Sequence, residues 1–275
     1  MDLKNMKCKS KDEIFHNKCK FCGKDLKPIG LDYLYANIPI SSIEYERCDC
    51  EKSKSYWNEK DLKEEIQKKR KHFEQMIRQF YIRNYSSKRI QDYRFENFII
   101  TKTNKKEIEI AKDFTEKCIN KNQKNGLIIT GKSGVGKTHL ATAILNKLTE
   151  KDMLVLIGRL ILLLDVIKDT FKDFSSKEKD IIELYSKVDM LIIDDLGTER
   201  ISSWALEKLY TIIENRNENK LPIIVTTRFD KESLLDRFYQ SEDEELAEAV
   251  IEKLYQFCYG IELKKYDENE KKKLV

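Results

Sequence analysis

Three groups of residues in this chain have types and spacings that could do chemistry. The first is Gly131-Lys132-Ser133-Gly134-Val135-Gly136-Lys137-Thr138, which fits G-x-x-x-x-G-K-[ST]. Its glycines open backbone conformations closed to other residues and bring successive N–H groups close to a phosphate. A helix beginning near Lys137 would aim its positive dipole end at the same anion. The Lys137 ammonium can reach β- and γ-phosphates, and the Thr138 hydroxyl can ligate Mg²⁺. The motif follows an apolar run and opens an amphipathic segment (Leu140, Ala141, Ile144, Leu145, Leu148), a context that a chance Gly-rich turn lacks. The second group is Met190-Leu191-Ile192-Ile193-Asp194-Asp195, an apolar strand that delivers two carboxylates. Asp194 could hold the Mg²⁺ shell and Asp195 could polarise an attacking water. An isolated Asp-Asp pair is often only a polar turn; a phosphate loop about 60 residues upstream favours the functional reading.

The third group is Cys19-Lys20-Phe21-Cys22-Gly23 with Cys48-Asp49-Cys50, that is C-x₂-C, a gap of 25 residues, and C-x-C. Four thiolates on two short knuckles can close a tetrahedral zinc site, and Gly23 permits the turn after the second ligand. No fifth strong ligand is evident, which favours a structural over a catalytic ion. Cys8 and His16 lie upstream as possible substitutes, His16 being the nearer to Cys19, but four cysteines already fill the site. Unliganded surface thiols are the plain alternative. Cys118 and Cys258 are expected on apolar helix faces, in the core.

The elements that must position these groups are legible in composition. The chain has 275 residues, 36% charged and 40% apolar, enough for a core without disulfide staples. Residues 1–92 carry 21 basic and 15 acidic side chains, and the remainder 31 and 33. A basic N-terminal part on a near-neutral remainder hints at nucleic acid or another acidic surface. The most apolar stretch, Met153–Ile167, is broken by Gly158, Arg159 and Asp165, far from a membrane span. The first residues show no secretory h-region, so the expected location is cytoplasmic, where thiols serve metals and cores more than disulfides.

Residues 1–50 read as a loop-and-hairpin zinc-binding module. Residues 51–92 read as a basic helix and linker, with Leu62, Ile66, Met76, Ile77 and Phe80 near helical spacing, Lys68-Lys69-Arg70-Lys71 on the polar side, and a break at Ser86-Ser87. Its aromatics (Trp57, Phe73, Phe80, Tyr81, Tyr85) are read first as packing on a solvated charged face, and second as a contact to a partner protein or single-stranded DNA. Residues 93–275 form the third part. Arg94–Ile100 reads as an extended lead-in, and Asn104 with Glu107 as a capping box for a helix with Ile110, Phe114 and Cys118 on one face. Apolar runs Leu127–Thr130, Leu154–Ile157, Met190–Ile193, Ile223–Thr226 and Gly260–Leu263 then alternate with helical segments. That pattern predicts an α/β fold with a parallel sheet flanked by helices. The fourth run ends Val225-Thr226-Thr227-Arg228, where a polar side chain could sense a γ-phosphate or simply be solvated. The lysines at 271–273 read as a frayed end.

Gly126–Leu148, Asp189–Gly197, Trp204–Arg216 and Pro222–Asp230 together resemble the AAA+ ATPases of the DnaC/DnaI helicase-loader type, with the IstB transposition ATPases close behind. The specific pieces are Thr138-His139-Leu140-Ala141, Asp194-Asp195-Leu196-Gly197, and Trp204 ahead of Leu209-Tyr210-Thr211-Ile212-Ile213; the resemblance covers about residues 94–265. It implies an AAA+ P-loop sheet, ATP with Mg²⁺, and a zinc-bearing N-terminal domain that contacts the helicase, whereas the chain's departures from the family, the missing trans-acting arginines and the short Asp195 carboxylate, point to slow ATP turnover. The partners it implies are a hexameric replicative DNA helicase and single-stranded DNA, with self-association on the helicase and no membrane. Two departures stand out. The family's sensor Asn is matched by Arg228. Its trans-acting arginines are matched by Glu248-Ala249-Val250-Ile251-Glu252-Lys253, leaving Lys253 as the one cation, with Arg216 and Arg237 the next candidates. The site set expected is Lys137, Asp194, Asp195 and Arg228 for catalysis, residues 131–138 for nucleotide, Thr138 and Asp194 for magnesium, and the four cysteines for zinc. An IstB-like ATPase acting on duplex DNA and a non-hydrolysing ATP-gated adaptor are the alternatives; the cysteine module favours the loader over the first of these, and a turnover assay separates the second.

Overall fold

Five short apolar strands with helices between them can bury both strand faces only as a parallel sheet covered on each side. The computed structural model describes residues 17–29, 44–84, 92–169, 178–241 and 243–265. Cys8, His16, Ser86-Ser87, Tyr85 and the lysines at 271–273 lie outside these. The chain divides into two compact units, residues 1–72 and 73–275.

Helix α1 (Glu51–Asn84) runs across that division. In the second unit follow a single 3₁₀ turn (Phe95–Asn97), α2 (Lys105–Ile119), β1 (Gly126–Thr130), α3 (Lys137–Thr149), β2 (Val155–Arg159), α4 (Leu160–Asp169), α5 (Glu178–Lys187), β3 (Met190–Leu196), α6 (Ser203–Glu218), β4 (Ile223–Thr227), α7 (Lys231–Phe238), α8 (Glu244–Phe257) and β5 (Cys258–Glu262). The strands form one parallel sheet in the order β2-β3-β4-β1-β5. This is the α/β architecture the alternation predicts.

Strand alternation divides the core in two. Ile128, Leu156, Leu191, Ile193, Ile223 and Val225 join side chains of α4 to α8 on one face. Leu127, Ile129, Val155, Ile157, Met190, Ile192 and Ile224 join α2 and α3 on the other. The last turns of α1 belong to the first of these, through Phe73, Ile77 and Phe80. Beside them the Tyr81 hydroxyl accepts the Ile157 N–H at 3.1 Å and donates to the Val155 carbonyl at 3.3 Å, satisfying backbone groups of edge strand β2. Gly158 makes room there, since a Cβ would stand 2.9 Å from Phe80 Cζ.

Several local expectations are corrected. Leu62 and Ile66 are each 57% exposed, so the early turns of α1 bury no apolar stripe. They are supported instead by i,i+4 ion pairs such as Lys63–Glu59 and Lys60–Glu64. Asn104 does not cap α2 through a box with Glu107; its side chain accepts the Thr101 N–H at 2.8 Å and donates to the Ile99 carbonyl at 3.0 Å, bracing the loop ahead of the helix. On α2 the buried face is Ile108, Ala111, Phe114, Thr115 and Cys118, while Ile110 is exposed. Cys258 is buried, but as the first residue of β5 rather than on a helix. No helix among the described residues is long and apolar enough to cross a membrane.

Candidate functional site

The loop between β1 and α3 lies at the carboxyl end of a central strand, where open parallel sheets leave a crevice. Gly136 caps α3 in the left-handed region, φ +102°. Gly131 has φ +140°, and a Cβ there would stand 2.2 Å from the Leu263 carbonyl oxygen. Val135 turns its side chain into the core, while Lys132, Ser133 and Gly134 are exposed. Lys137 is only 7% exposed, and its ammonium donates to the Gly131 carbonyl at 2.7 Å and the Lys132 carbonyl at 3.0 Å. Burial lowers its pKa, with Asp195 and Asp194 opposing the shift and Arg228 adding to it. A desolvated cation held by loop carbonyls beside a helix N-terminus suits a polyphosphate.

The acidic strand reaches this loop. The Thr138 hydroxyl lies 2.9 and 3.1 Å from the two carboxylate oxygens of Asp194 and donates to that group. These are the two side chains that could hold Mg²⁺. Strand β4 lies between β1 and β3, and its fully buried Thr226 joins them. Thr226 Oγ1 donates to Asp194 Oδ1 at 2.7 Å and accepts the Asp195 N–H at 2.8 Å. The β3–β4 register shifts between Ile193 and Leu196, and Asp195 takes φ +57°. The Asp195 carboxylate turns to Arg228, whose Nη2 donates to Oδ2 at 2.9 Å.

Thus the structure brings Lys137, Thr138, Asp194, Asp195 and Arg228 into one cluster, with Arg228 facing Asp195 rather than open space. Two further side chains join the arrangement. Thr226 belongs to the polar strand end that the sequence offers as a phosphate sensor or a solvated terminus, and it is neither: it is buried and bonds both aspartates. His139 has no role in the motif, yet its ring stacks on Tyr93 (centroids 4.6 Å) and tilts against Phe98 (4.8 Å), with Nε2 3.1 Å from the Arg94 carbonyl oxygen. It ties the lead-in to α3.

The remaining cations are used elsewhere. Lys253 pairs with Glu214 of α6 at 2.6 Å, and Arg237 Nε donates to the Gly197 carbonyl at 3.0 Å. Arg216 is fully buried and donates to the carbonyls of Tyr185, Val188 and Pro222. It cannot reach a neighbouring molecule, which removes it as a trans-acting candidate.

In the first unit, the Gly23 N–H bonds the Cys19 carbonyl and the Cys19 N–H bonds the Lys24 carbonyl, with Gly23 at φ +75°, so the backbone forms a tight knuckle. The sulfurs of Cys19, Cys22, Cys48 and Cys50 all lie within 4.8 Å of one another. Cys19 and Cys50 sulfurs are 3.9 Å apart, and those of Cys22 and Cys48 3.5 Å. A tetrahedron with Zn–S bonds of about 2.3 Å has edges of ~3.8 Å, so the donor set fits zinc in size and softness. The Cys19 thiol is lowered to about 6, foremost by the Phe21 N–H. By contrast, burial pushes Cys118 up to about 12, as an inert core thiol.

Comparison with known proteins adds family and fold. The family described as IstB-like ATP binding protein matches residues 46–274. The replicative helicase loader DnaC of Escherichia coli is 33% identical over 107 residues, which are 39% of this chain and 44% of that protein. The replicative helicase loader DnaI of Bacillus subtilis is 28% identical over 143 residues, 52% of this chain and 45% of that one. The chain therefore spans less than half the length of these curated relatives. A crystal structure of DnaI superposes with a TM-score of 0.56 at 27% identity, covering 65% of this chain and 95% of that one.

Proposed function

The chain belongs to the IstB-like ATP-binding protein family, and on that premise we propose that it is an ATP-dependent loader of a replicative DNA helicase, a slow ATPase. The observation that carries the nucleotide half is the contact of Thr138 with Asp194 beside the desolvated Lys137. The likeness to two named helicase loaders supports the partner, and the four-thiol cluster favours a loader over a transposition ATPase.

In this reading residues 1–50 are a zinc-bearing module that grips a hexameric helicase, residues 51–92 a linking basic helix, and residues 93–275 the ATPase, which binds single-stranded DNA and associates with further copies on the helicase. Bound MgATP supplies a phosphoanhydride whose cleavage times release. Backbone N–H groups of residues 131–136 cradle its phosphates, and Lys137 exchanges loop carbonyls for phosphate oxygens. Thr138 and Asp194 would hold Mg²⁺, which would offset phosphate charge there. Thr226 keeps Asp194 and Asp195 in register, Asp195 accepts a hydrogen bond from the attacking water, and Arg228 balances the charge beside it. Because the helix matched to the trans-acting arginines offers only Lys253, which is tied to Glu214, turnover of the protein alone is slow.

The test is co-purification with a hexameric replicative helicase, with and without ATP. The parent is expected to hold the helicase in an ATP-dependent way. Lys137→Ala should keep its fold and lose ATP binding together with that dependence. Capture of a transposase instead of a helicase would replace this reading by the transposition one, and ATP affinity unchanged in Lys137→Ala would refute the site.

A further inference from the structure

Immediately behind the two catalytic carboxylates, the loop leaving β3 carries Glu199, to which the mechanism above gives no task. Its Oε1 is buried and has no hydrogen-bond partner among the described residues. Its Oε2 lies 3.0 Å from the Thr198 hydroxyl, and that same hydroxyl lies 2.9 Å from the backbone carbonyl oxygen of Asp195. The carbonyl can only accept, and a threonine hydroxyl has one proton to give. With that proton on the Asp195 carbonyl, an ionised Glu199 would face a lone pair at Oε2 and, beyond its own backbone N–H, find no donor for Oε1 among the described residues. A neutral Glu199 resolves both contacts. Its O–H donates to Thr198, Thr198 donates to Asp195, and the remaining oxygen stays uncharged in its dry setting, where an unpaired neutral oxygen costs far less than an unpaired carboxylate.

We propose that Glu199 is a positioning residue, a neutral carboxylic acid whose O–H holds Thr198 against the Asp195 carbonyl and so fixes the turn that presents the Asp195 carboxylate. The turn needs such a brace, since Asp195 at φ +57° and Gly197 at φ +86° are both left-handed. Asp195 is then pinned on both sides, its N–H by Thr226 and its carbonyl by Thr198. Electrostatics agree with the geometry. Burial raises the Glu199 pKa above the ordinary carboxylate range, and the Asp195 charge on β3 adds to this. Its own N–H, the Thr198 hydroxyl and Arg159 at the end of β2 oppose the shift without reversing it. Ionising Glu199 would add a second negative charge near Asp195 and break the chain of donors.

The consequence for turnover rests on the ATPase reading; the ionisation state does not. The full-length protein, labelled with carboxyl-¹³C glutamate and free of nucleotide, is titrated by NMR, with Glu199 assigned by the signal missing from Glu199→Gln. Glu199 is expected to titrate above the exposed glutamates, and the amides of Asp195 and Gly197 to shift with it in the parent but not in Glu199→Gln. Steady-state ATP turnover of the parent should fall about tenfold as pH rises through that same titration. Glu199→Gln should stay within about threefold of the parent near neutral pH and lose the alkaline fall, whereas Glu199→Ala should drop roughly tenfold or more throughout. A Glu199 that titrates with the exposed glutamates overturns the proposal, as does a Gln variant that keeps the amide shifts or the alkaline fall. If the parent hydrolyses no ATP at any pH, the ATPase reading fails and the NMR titration still decides the state of Glu199.

Discussion

Thr226 contributes one hydroxyl to two neighbouring aspartates at once, giving its proton to the Asp194 carboxylate and its lone pair to the Asp195 N–H. Valine has nearly the same shape, so Thr226→Val removes the hydroxyl and leaves a buried N–H unpaired. That costs about 1–3 kcal/mol of stability, and the same loss of positioning is worth about tenfold or more in rate. The expected outcome is a lowered denaturation midpoint and reduced phosphate release, with ATP affinity largely kept; wild-type turnover would remove Thr226 from the site. Arg228 acts at the same scale. Its pair with Asp195 is half-exposed, so it contributes little to stability, and Arg228→Ala is expected to leave the fold and ATP affinity intact while lowering turnover. Equilibrium nucleotide binding measured beside turnover separates this cis role from a purely electrostatic effect on ATP affinity.

At the scale of elements, α6 and α8 pack on one another, and their charged residues are used in that packing. Lys253 of α8 is paired with Glu214 of α6, and Arg216 of α6 gathers three carbonyls, from the last turn of α5, the link between α5 and β3, and the residue before β4. Arg216→Met keeps much of the volume and removes this donor from all three, so the unfolding free energy should fall by about 3 kcal/mol or more, read by urea denaturation. A change under 1 kcal/mol, about the worth of one ordinary hydrogen bond, would show that water replaces the guanidinium there. From sequence alone Arg216 is a candidate to act at a neighbour's nucleotide. Its complete burial makes it a fastener of the helical layer instead.

At the scale of the molecule, two compact units depend on different sources of stability. Residues 73–275 bury two apolar layers against a five-stranded sheet. The described part of residues 1–72 has few buried apolar side chains, and its short antiparallel bridges, Lys18 with Asp25 and Pro28 with Tyr45, give it little regular structure. A zinc ion held by the four thiolates would supply what such a segment lacks, because the free energy of metal binding would then be free energy of folding. Chelation, or Cys48→Ser, is expected to release one zinc per chain and unfold the cysteine module while the ATPase part keeps its melting transition. Metal analysis paired with thermal melts checks this, and stoichiometric zinc retained in Cys48→Ser would sink the four-cysteine site.

The patterns set by local chemistry were legible from residues alone. Glycines at 131, 134 and 136 followed by Lys137-Thr138, between an apolar run and an amphipathic segment, mark a candidate phosphate loop, and five apolar runs separated by helical periods leave a parallel sheet as the one arrangement that hides both strand faces. Paired cysteine knuckles state their own ligand geometry. Contacts set by strand register were not legible. The fourth strand is expected between phosphate loop and acidic strand, but which of Thr226, Thr227 and Arg228 meets which aspartate depends on the register shift between β3 and β4, and no local pattern encodes that. The same holds for side chains with two possible fates. Asn104 could cap a helix or brace a loop, Leu62 and Ile66 could pack or stand in solvent, and Arg216 could reach outward or hold carbonyls together. Each choice depends on which desolvated groups the rest of the chain brings within hydrogen-bonding distance, and only tertiary structure decides that.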